Sequence, residues 1–146
     1  MSQAAIDFIP HQMPMVFIDE LLAADEQHAV AKLTVRPELM FCEAEGLPTW
    51  TAIELMAQTI SMYAGVQGRL HGLPPKIGFL LGTRKMRLPM PYFPLRGEIY
   101  IRVTKNYMHD NLAVFDCELT SGSHTITATL SVYEPDDVGV IEEYVN

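Results

Sequence analysis

The chain has 146 residues, 49% of them hydrophobic, which suits one domain with one core and leaves no room for a second. Lys and Arg number 10 against 18 Asp and Glu, a formal net charge of −8, so the basic footprint of a nucleic-acid binder is missing. No apolar run is long enough to span a membrane, Met1 to Pro10 lacks a secretory leader's charge pattern, and Cys42 and Cys117 have neither metal-ligand nor disulfide spacing, so a cytoplasmic chain with two buried thiols and no metal is expected.

In chain order, Met15 to Ala24 and Gln27 to Val35 flank Asp25-Glu26. The second alternates Ala29, Ala31, Leu33 and Val35 at period two, which predicts a hairpin with one buried face. Thr49 to about Leu70 contains no proline and carries Ile53, Ala57, Ile60 and Ala64 at helical spacing, with Met56 and Tyr63 beside them. Pro48 marks the start of this helix, and Gly68, Gly72 and Pro74-Pro75 mark its end. Four strands are predicted to follow as a meander: Ile77 to Leu88, Glu98 to Asn106, Leu112 to Leu119 and Thr125 to Tyr133. Turn signals at Pro89 to Pro94, His109-Asp110-Asn111 and Ser121-Gly122-Ser123 separate them. In the last strand Thr125, Thr127, Thr129 and Ser131 alternate with Ile126, Ala128, Leu130 and Val132, one wet face against one buried face. The result is an α+β domain over residues 1–146 with an antiparallel sheet filled by one helix, and an acidic tail over 134–146 expected to trail along its surface.

Chemistry concentrates at the helix start. Glu54 lies among Ile53, Leu55, Met56 and Ala57, an apolar setting that suits a carboxyl to proton transfer near neutrality. Thr51-Ala52-Ile53-Glu54 also fits a capping box, in which Glu54 would only bond the first amide groups. Gln58, four residues on, projects from the same face and could hold that carboxyl or a substrate hydroxyl, or be a satisfied polar residue at a dimer seam. The helix start at Pro48-Thr49-Trp50 presents N–H groups at which a thioester carbonyl could be polarised. Met40, Phe41, Trp50, Met56 and Phe79 are candidates for an acyl tunnel, although a Met and aromatic set is more often plain core. Arg84, Lys85 and Arg87 form the one dense basic cluster, either a solvated strand face or a receiver for an acidic carrier. His28, His71, His109 and His124 fall at hairpin, post-helix or turn positions and read as surface residues. No His adjoins Cys42-Glu43 in sequence, so no Cys-nucleophile pattern is present.

Three stretches carry a family resemblance. Ile9-Pro10-His11-Gln12-Met13-Pro14-Met15-Val16-Phe17-Ile18-Asp19-Glu20, Pro48 through Ala57-Gln58, and Ile77 through Pro94 resemble the hot-dog-fold 3-hydroxyacyl-ACP dehydratases, with Glu54 and Gln58 in register with that family's helix motif. Glu45-Gly46-Leu47-Pro48, Met56-Ala57-Gln58, Gly78-Phe79-Leu80-Leu81-Gly82 and Tyr133-Glu134-Pro135-Asp136-Asp137 look most like dehydratase-like members found with polyketide and aryl-polyene assembly enzymes. The resemblance implies a hot-dog fold and a site at a dimer interface, where a loop His and a helix carboxyl from the partner subunit remove water from a carrier-bound 3-hydroxyacyl thioester without a cofactor. This chain departs from it: Met40 occupies the position of the loop His, and Met40-Phe41-Cys42-Glu43 contains no imidazole. The expectation is therefore a dehydratase with Glu54 as acid and His11 as base, although the family's corresponding His belongs to the entry motif and a structural role for His11, bonding nearby backbone, stands against the base. Its substrate side would be lined by Gln58, Thr49, Trp50, Met40, Phe41 and Phe79, and its acyl carrier would be received at Arg84, Lys85 and Arg87. The chain would pair with itself or with another hot-dog protein. Two alternatives stand beside it, a non-catalytic subunit that binds acyl groups or supports an active dehydratase, and a thioesterase in which Glu54 activates water.

Overall fold

The structure is a computed structural model that describes residues 3–4, 16–72, 79–84 and 86–133. Its strands are β1 (Gln3–Ala4), β2 (Glu20–Ala24), β3 (His28–Thr34), β4 (Leu47–Pro48), β5 (Phe79–Arg84), β6 (Tyr92–Phe93), β7 (Glu98–His109), β8 (Leu112–Ser121) and β9 (His124–Tyr133). The helix α1 (Ala52–Leu70) follows a single 3-10 turn over Thr49–Thr51. Seven strands form one antiparallel sheet in the order β1-β2-β3-β7-β8-β9-β5, and β4 pairs with β6 in a separate ribbon.

The period-two segments lie where their patterns predict. Ala29, Ala31 and Leu33 of β3 are fully buried, as are Ile99, Ile101 and Val103 of β7, and Ile126, Ala128, Leu130 and Val132 of β9 face the same core. Each large side chain removed from water in this way contributes roughly 1.5–3 kcal/mol. The hairpin turns match their residue types: Asp110 and Asn111 both have positive φ, 48° and 69°, the conformation of a two-residue turn that suits a twisted hairpin. Register shifts at Leu21/Ala23, Leu80/Gly82 and Lys105/Tyr107 bend the sheet around the helix.

Three expectations need correction. The first predicted strand begins only at Glu20; residues 16–19 lie outside any strand, although Asp19 N–H donates to Lys32 O at 3.0 Å. The last four strands are not a meander. β7 pairs with β3 from Glu98 to Thr104 and with β8 along its other edge, so both its edges are occupied and β5 takes the open edge of β9. The buried face of α1 matches the predicted stripe only in part. Ile60, Met56 and Tyr63 are buried as expected, together with Leu55, Thr59 and Met62, while Ile53, Ala57 and Ala64 are half-buried.

The far end of α1 is tied to the β2–β3 turn. Tyr63 hydroxyl donates to Glu26 O, Gln67 Nε2 donates to Asp25 O at 2.8 Å, and Lys105 N–H donates to Gln27 O at 2.8 Å, so all three turn carbonyls have donors. The helix then stops at Gly72, whose φ of +69° suits glycine and whose N–H donates to Arg69 O. Among the described residues no helix is long and apolar enough to cross a membrane, and no cluster of His, Cys, Asp and Glu could hold a metal ion.

Candidate active site

The helix start is built by four chain segments. Gly46 enters the β4 strand at φ +133°, and a Cβ there would stand 2.0 Å from Phe93 O, so only glycine lets β4 and β6 approach. Pro48 then leads into the 3-10 turn. Thr49 is buried, its hydroxyl donates to Met90 O at 2.6 Å, and its N–H donates to Pro91 O at 3.0 Å. Thr49 therefore fastens the helix start to the loop before β6, and its N–H is not among the free donors expected at Pro48-Thr49-Trp50.

The capping box does not form. The chain enters α1 from a 3-10 turn, so Thr51 at the N-cap has helical dihedrals and makes no side-chain cap bond; its hydroxyl donates to Pro48 O at 2.7 Å. An N-cap residue normally sits outside the helical region to aim its oxygen at the following amides.

Glu54 is half-buried one turn into the helix, and Gln58 is fully buried beneath it. Gln58 Nε2 donates to Glu54 Oε1 at 3.0 Å, and Gln58 Oε1 accepts the N–H of Phe17, also at 3.0 Å. A backbone amide can only donate, so the Phe17 contact forces the amide oxygen toward residue 17 and aims the NH2 group at the carboxylate. Both residues have additional partners. The contribution of Phe17 escaped sequence reasoning, because a backbone N–H carries no residue-type signal. The segment it belongs to is pinned a second time at Asp19, whose carboxylate accepts Thr34 N–H at 2.8 Å and Arg36 Nη1 at 2.6 Å.

Aromatic rings extend outward from this pair. Phe17 is fully buried; its ring centroid lies 6.4 Å from that of Phe41, which in turn lies 5.1 Å from that of Trp50. Phe41 and Trp50 are 47% and 53% exposed, so the series of rings runs from the core beside Gln58 to the surface. Met40 is half-buried against the core. Phe41 adopts φ +69°, a region costly for a bulky side chain, held by the Leu39 N–H to Arg36 O and Cys42 N–H to Leu39 O bonds on either side. Cys42 is half-buried rather than buried, and desolvation raises its thiol pKa, so no thiolate nucleophile is offered here.

Other sequence candidates fall elsewhere. His11, Lys85 and the tail over 134–146 lie outside the described residues, and for Phe79 and Arg84 only the backbone is described. Arg87 is exposed. His28 bonds Asp25 at 2.7 Å on the β2–β3 turn and is half-buried, while His71, His109 and His124 are exposed. A groove of about 630 Å³ lined by His28, Arg102, Asp116 and Thr129 among others lies on the outer sheet face and shares no residue with the Glu54 site. It is relief between outward polar side chains.

The profile of the ApeP-like family, described as ApeP dehydratase, matches residues 3–144. The chain belongs to the ApeP-like family. Its activity class is accordingly that of a dehydratase. No curated protein matches the sequence. Among solved structures, the ApeP-like chain is similar to the dehydratase heterocomplex ApeI:P from Xenorhabdus doucetiae, with 23% identity, a TM-score of 0.86 and 99% of each chain covered. It is also similar to a hypothetical thioesterase with coenzyme A from Streptococcus pneumoniae, at 13% identity and TM-score 0.61, covering 79% of this chain and 84% of that one. The PaaI protein of E. coli is similar at 15% identity and TM-score 0.61, with 81% of this chain and 79% of that one covered. These likenesses show the hot-dog fold.

Proposed function

We propose that this ApeP-like protein eliminates water from a 3-hydroxyacyl thioester presented by an acyl carrier, with the Glu54 carboxyl as acid. The single observation that carries this reading is the Gln58 amide, fixed in orientation by the Phe17 N–H and donating to Glu54 at 3.0 Å. A carboxyl held in this way is fixed in direction relative to the helix. In the reaction a base removes the α-proton, the Cα–H electron pair forms the Cα–Cβ double bond, and the Cβ–O bond breaks as Glu54 delivers its proton to the departing hydroxyl. Water and a 2-enoyl thioester leave, and no oxidant, metal or cofactor takes part in that balance.

For the base we propose His11. Phe17 N–H is tied to Gln58 next to Glu54, and His11 lies six positions before Phe17 in sequence, a separation that permits its imidazole to approach the carboxyl. The substrate side would be lined by Trp50, Met40, Phe41 and Phe79, with Thr49 bracing the helix start. A carrier would approach Arg84, Lys85 and Arg87.

A second reading follows from one observation: the loop position of the family's His holds Met40, and the neighbouring Phe41 ring lies 5.1 Å from that of Trp50 at a tilt of 59°. In that reading the chain works with a second hot-dog subunit that completes the site, as suits its likeness to a chain of a dehydratase heterocomplex. The edge strand β5, where Leu80 and Leu81 are 42% and 61% exposed, offers a place for such a subunit to extend the sheet. Incubating the protein with a 3-hydroxyacyl-carrier thioester, alone and with a companion subunit, and following the enoyl product by mass spectrometry tests both readings. Product from the protein alone supports the first, product only from the pair supports the second, and product from neither overturns the proposed reaction.

A further inference from the structure

We propose that the Asp19–Arg36 ion pair is a positioning device for the Glu54 carboxyl, acting through the Phe17 N–H and the Gln58 amide. This inference rests on the reading that Glu54 carries the chemistry, and adds two residues that act on it through others.

Residues 16–18 are buried, yet they lie outside any strand. A buried segment without a ladder is placed by whatever individual bonds its backbone and neighbours make. Phe17 N–H donates to Gln58 Oε1 at 3.0 Å, and Asp19 N–H donates to Lys32 O at 3.0 Å. The Asp19 carboxylate supplies two more anchors, accepting Thr34 N–H at 2.8 Å on one oxygen and Arg36 Nη1 at 2.6 Å on the other.

The place of these anchors explains how the chain reaches α1. Pairing of β2 with β3 ends at Glu20↔Lys32, whereas β3 runs on to Thr34 and keeps Glu98 of β7 as partner along its other edge. Thr34 N–H faces the edge that β2 no longer covers. A side-chain oxygen of Asp19 stands there in place of a strand carbonyl, which leaves the main chain free to turn from the sheet toward Gln58. Arg36 closes the arrangement, because the Nη1 that reaches Asp19 also donates to Thr34 O at 3.2 Å. Its neighbour Val35 is locked to the turn before β7 by Arg96 N–H to Val35 O at 2.7 Å and Val35 N–H to Gly97 O at 2.9 Å.

Phe17 stands two positions before Asp19, a backbone span of at most roughly 7 Å, so its N–H cannot move far while Asp19 is clamped. That N–H decides which end of the Gln58 amide faces Glu54. The side chains of Arg36 and Asp19 are 36% and 32% exposed, and an ion pair so open to water contributes little to global folding. Its effect is local: it sets where one buried N–H stands.

Positioning is read first without substrate, by amide hydrogen exchange and by the NMR signals of the Gln58 side-chain NH2 group. In Asp19→Ala, Phe17 N–H should exchange about tenfold or more faster and the Gln58 signals should shift, while the amides of Ile99 and Ile101 in β7 keep their protection. Dehydration is then followed in whichever assembly is active. Asp19→Ala should lower the rate at saturation roughly ten- to a hundredfold with KM nearly unchanged, and Asp19→Asn, which keeps an oxygen for Thr34 N–H, should recover part of it. In a Gln58→Leu background Asp19→Ala should cost nothing further, because the route to Glu54 is already cut. If Asp19→Ala does not fold, Arg36→Gln, which leaves the Thr34 bond in place, makes the same comparisons with the same signs. Phe17 exchange and Gln58 signals unchanged in the variant, or a rate loss that adds in full to that of Gln58→Leu, would overturn the proposal. A protein inactive in every assembly that still shows the exchange signature would sink the reaction at Glu54 and leave the clamp standing.

Discussion

Replacing Gln58 by Leu is the most informative change within the folded core, because it preserves volume and deletes both ends of the amide bridge. Phe17 N–H would be left buried without its acceptor, a penalty of roughly 1–3 kcal/mol. Glu54 would lose a donor at 3.0 Å, a bond to an ionisable group of about 1.5–3 kcal/mol. The two losses share one side chain and do not add, and the new apolar surface offsets part of them, leaving a deficit of about 3 kcal/mol. At roughly 2–4 °C per kcal/mol, thermal unfolding followed by circular dichroism should fall by about 6–12 °C.

Gln58→Glu supplies the matching control. It restores an acceptor for Phe17 and places a second carboxyl against Glu54, so the two cannot both ionise and one of them has its folded-state pKa raised above the unfolded value of about 4.3. A raised folded-state pKa gives stability that is present below the unfolded pKa and lost as pH rises through the folded one. The variant should therefore be near wild type below about pH 4 and progressively weaker toward neutrality. A Leu variant that unfolds within a degree or two of wild type, or a Glu variant whose deficit ignores pH, would refute the bridge as the element that holds Glu54.

Gly46→Ala should cost several kcal/mol, since its Cβ would meet Phe93 O at 2.0 Å on a backbone with φ +133°; an unaltered denaturant midpoint would contradict the close β4–β6 approach. In native protein at pH 8 a thiol reagent should modify Cys42 slowly and leave Cys117 untouched until unfolding, because burial pushes the Cys117 thiol up to about 12; rapid labelling of two thiols would count against this. Asp25 is held down to about 2 by the N–H of Gln27 first, then by His28, so it contributes stability above its unfolded value of 3.8 that is lost as pH falls through 2. Asp25→Asn should flatten that acid limb of the stability curve, and an unchanged limb would remove the assignment.

The strands were legible where burial is one-sided. Ala29, Ala31 and Leu33 alternate because each neighbour faces solvent, and Asp110-Asn111 announces its turn by residue type. The place of β5 was not legible, since which edge a strand takes depends on what β3 has already claimed of β7, a pairing across some seventy positions that leaves no local pattern. On α1, Met56, Ile60 and Tyr63 were legible as buried, whereas Ile53, Ala57 and Ala64 are only half-buried and Leu55 and Met62 join the core. In the site, Glu54 and Gln58 stood out by spacing, whereas the 3-10 turn that disables the Thr51 cap and the Phe17 amide that orients Gln58 are backbone features invisible to residue type.

The central claim is that the Glu54 carboxyl delivers a proton to the leaving hydroxyl, and Glu54→Gln isolates it by keeping the shape and removing the transferable proton. Single-turnover dehydration of a carrier-bound 3-hydroxyacyl thioester should be measured in whichever assembly is active, with thermal unfolding as a check on the fold. The account predicts a fall of roughly two to four decades in rate with little change in unfolding temperature. A variant that dehydrates at close to the wild-type rate would contradict it.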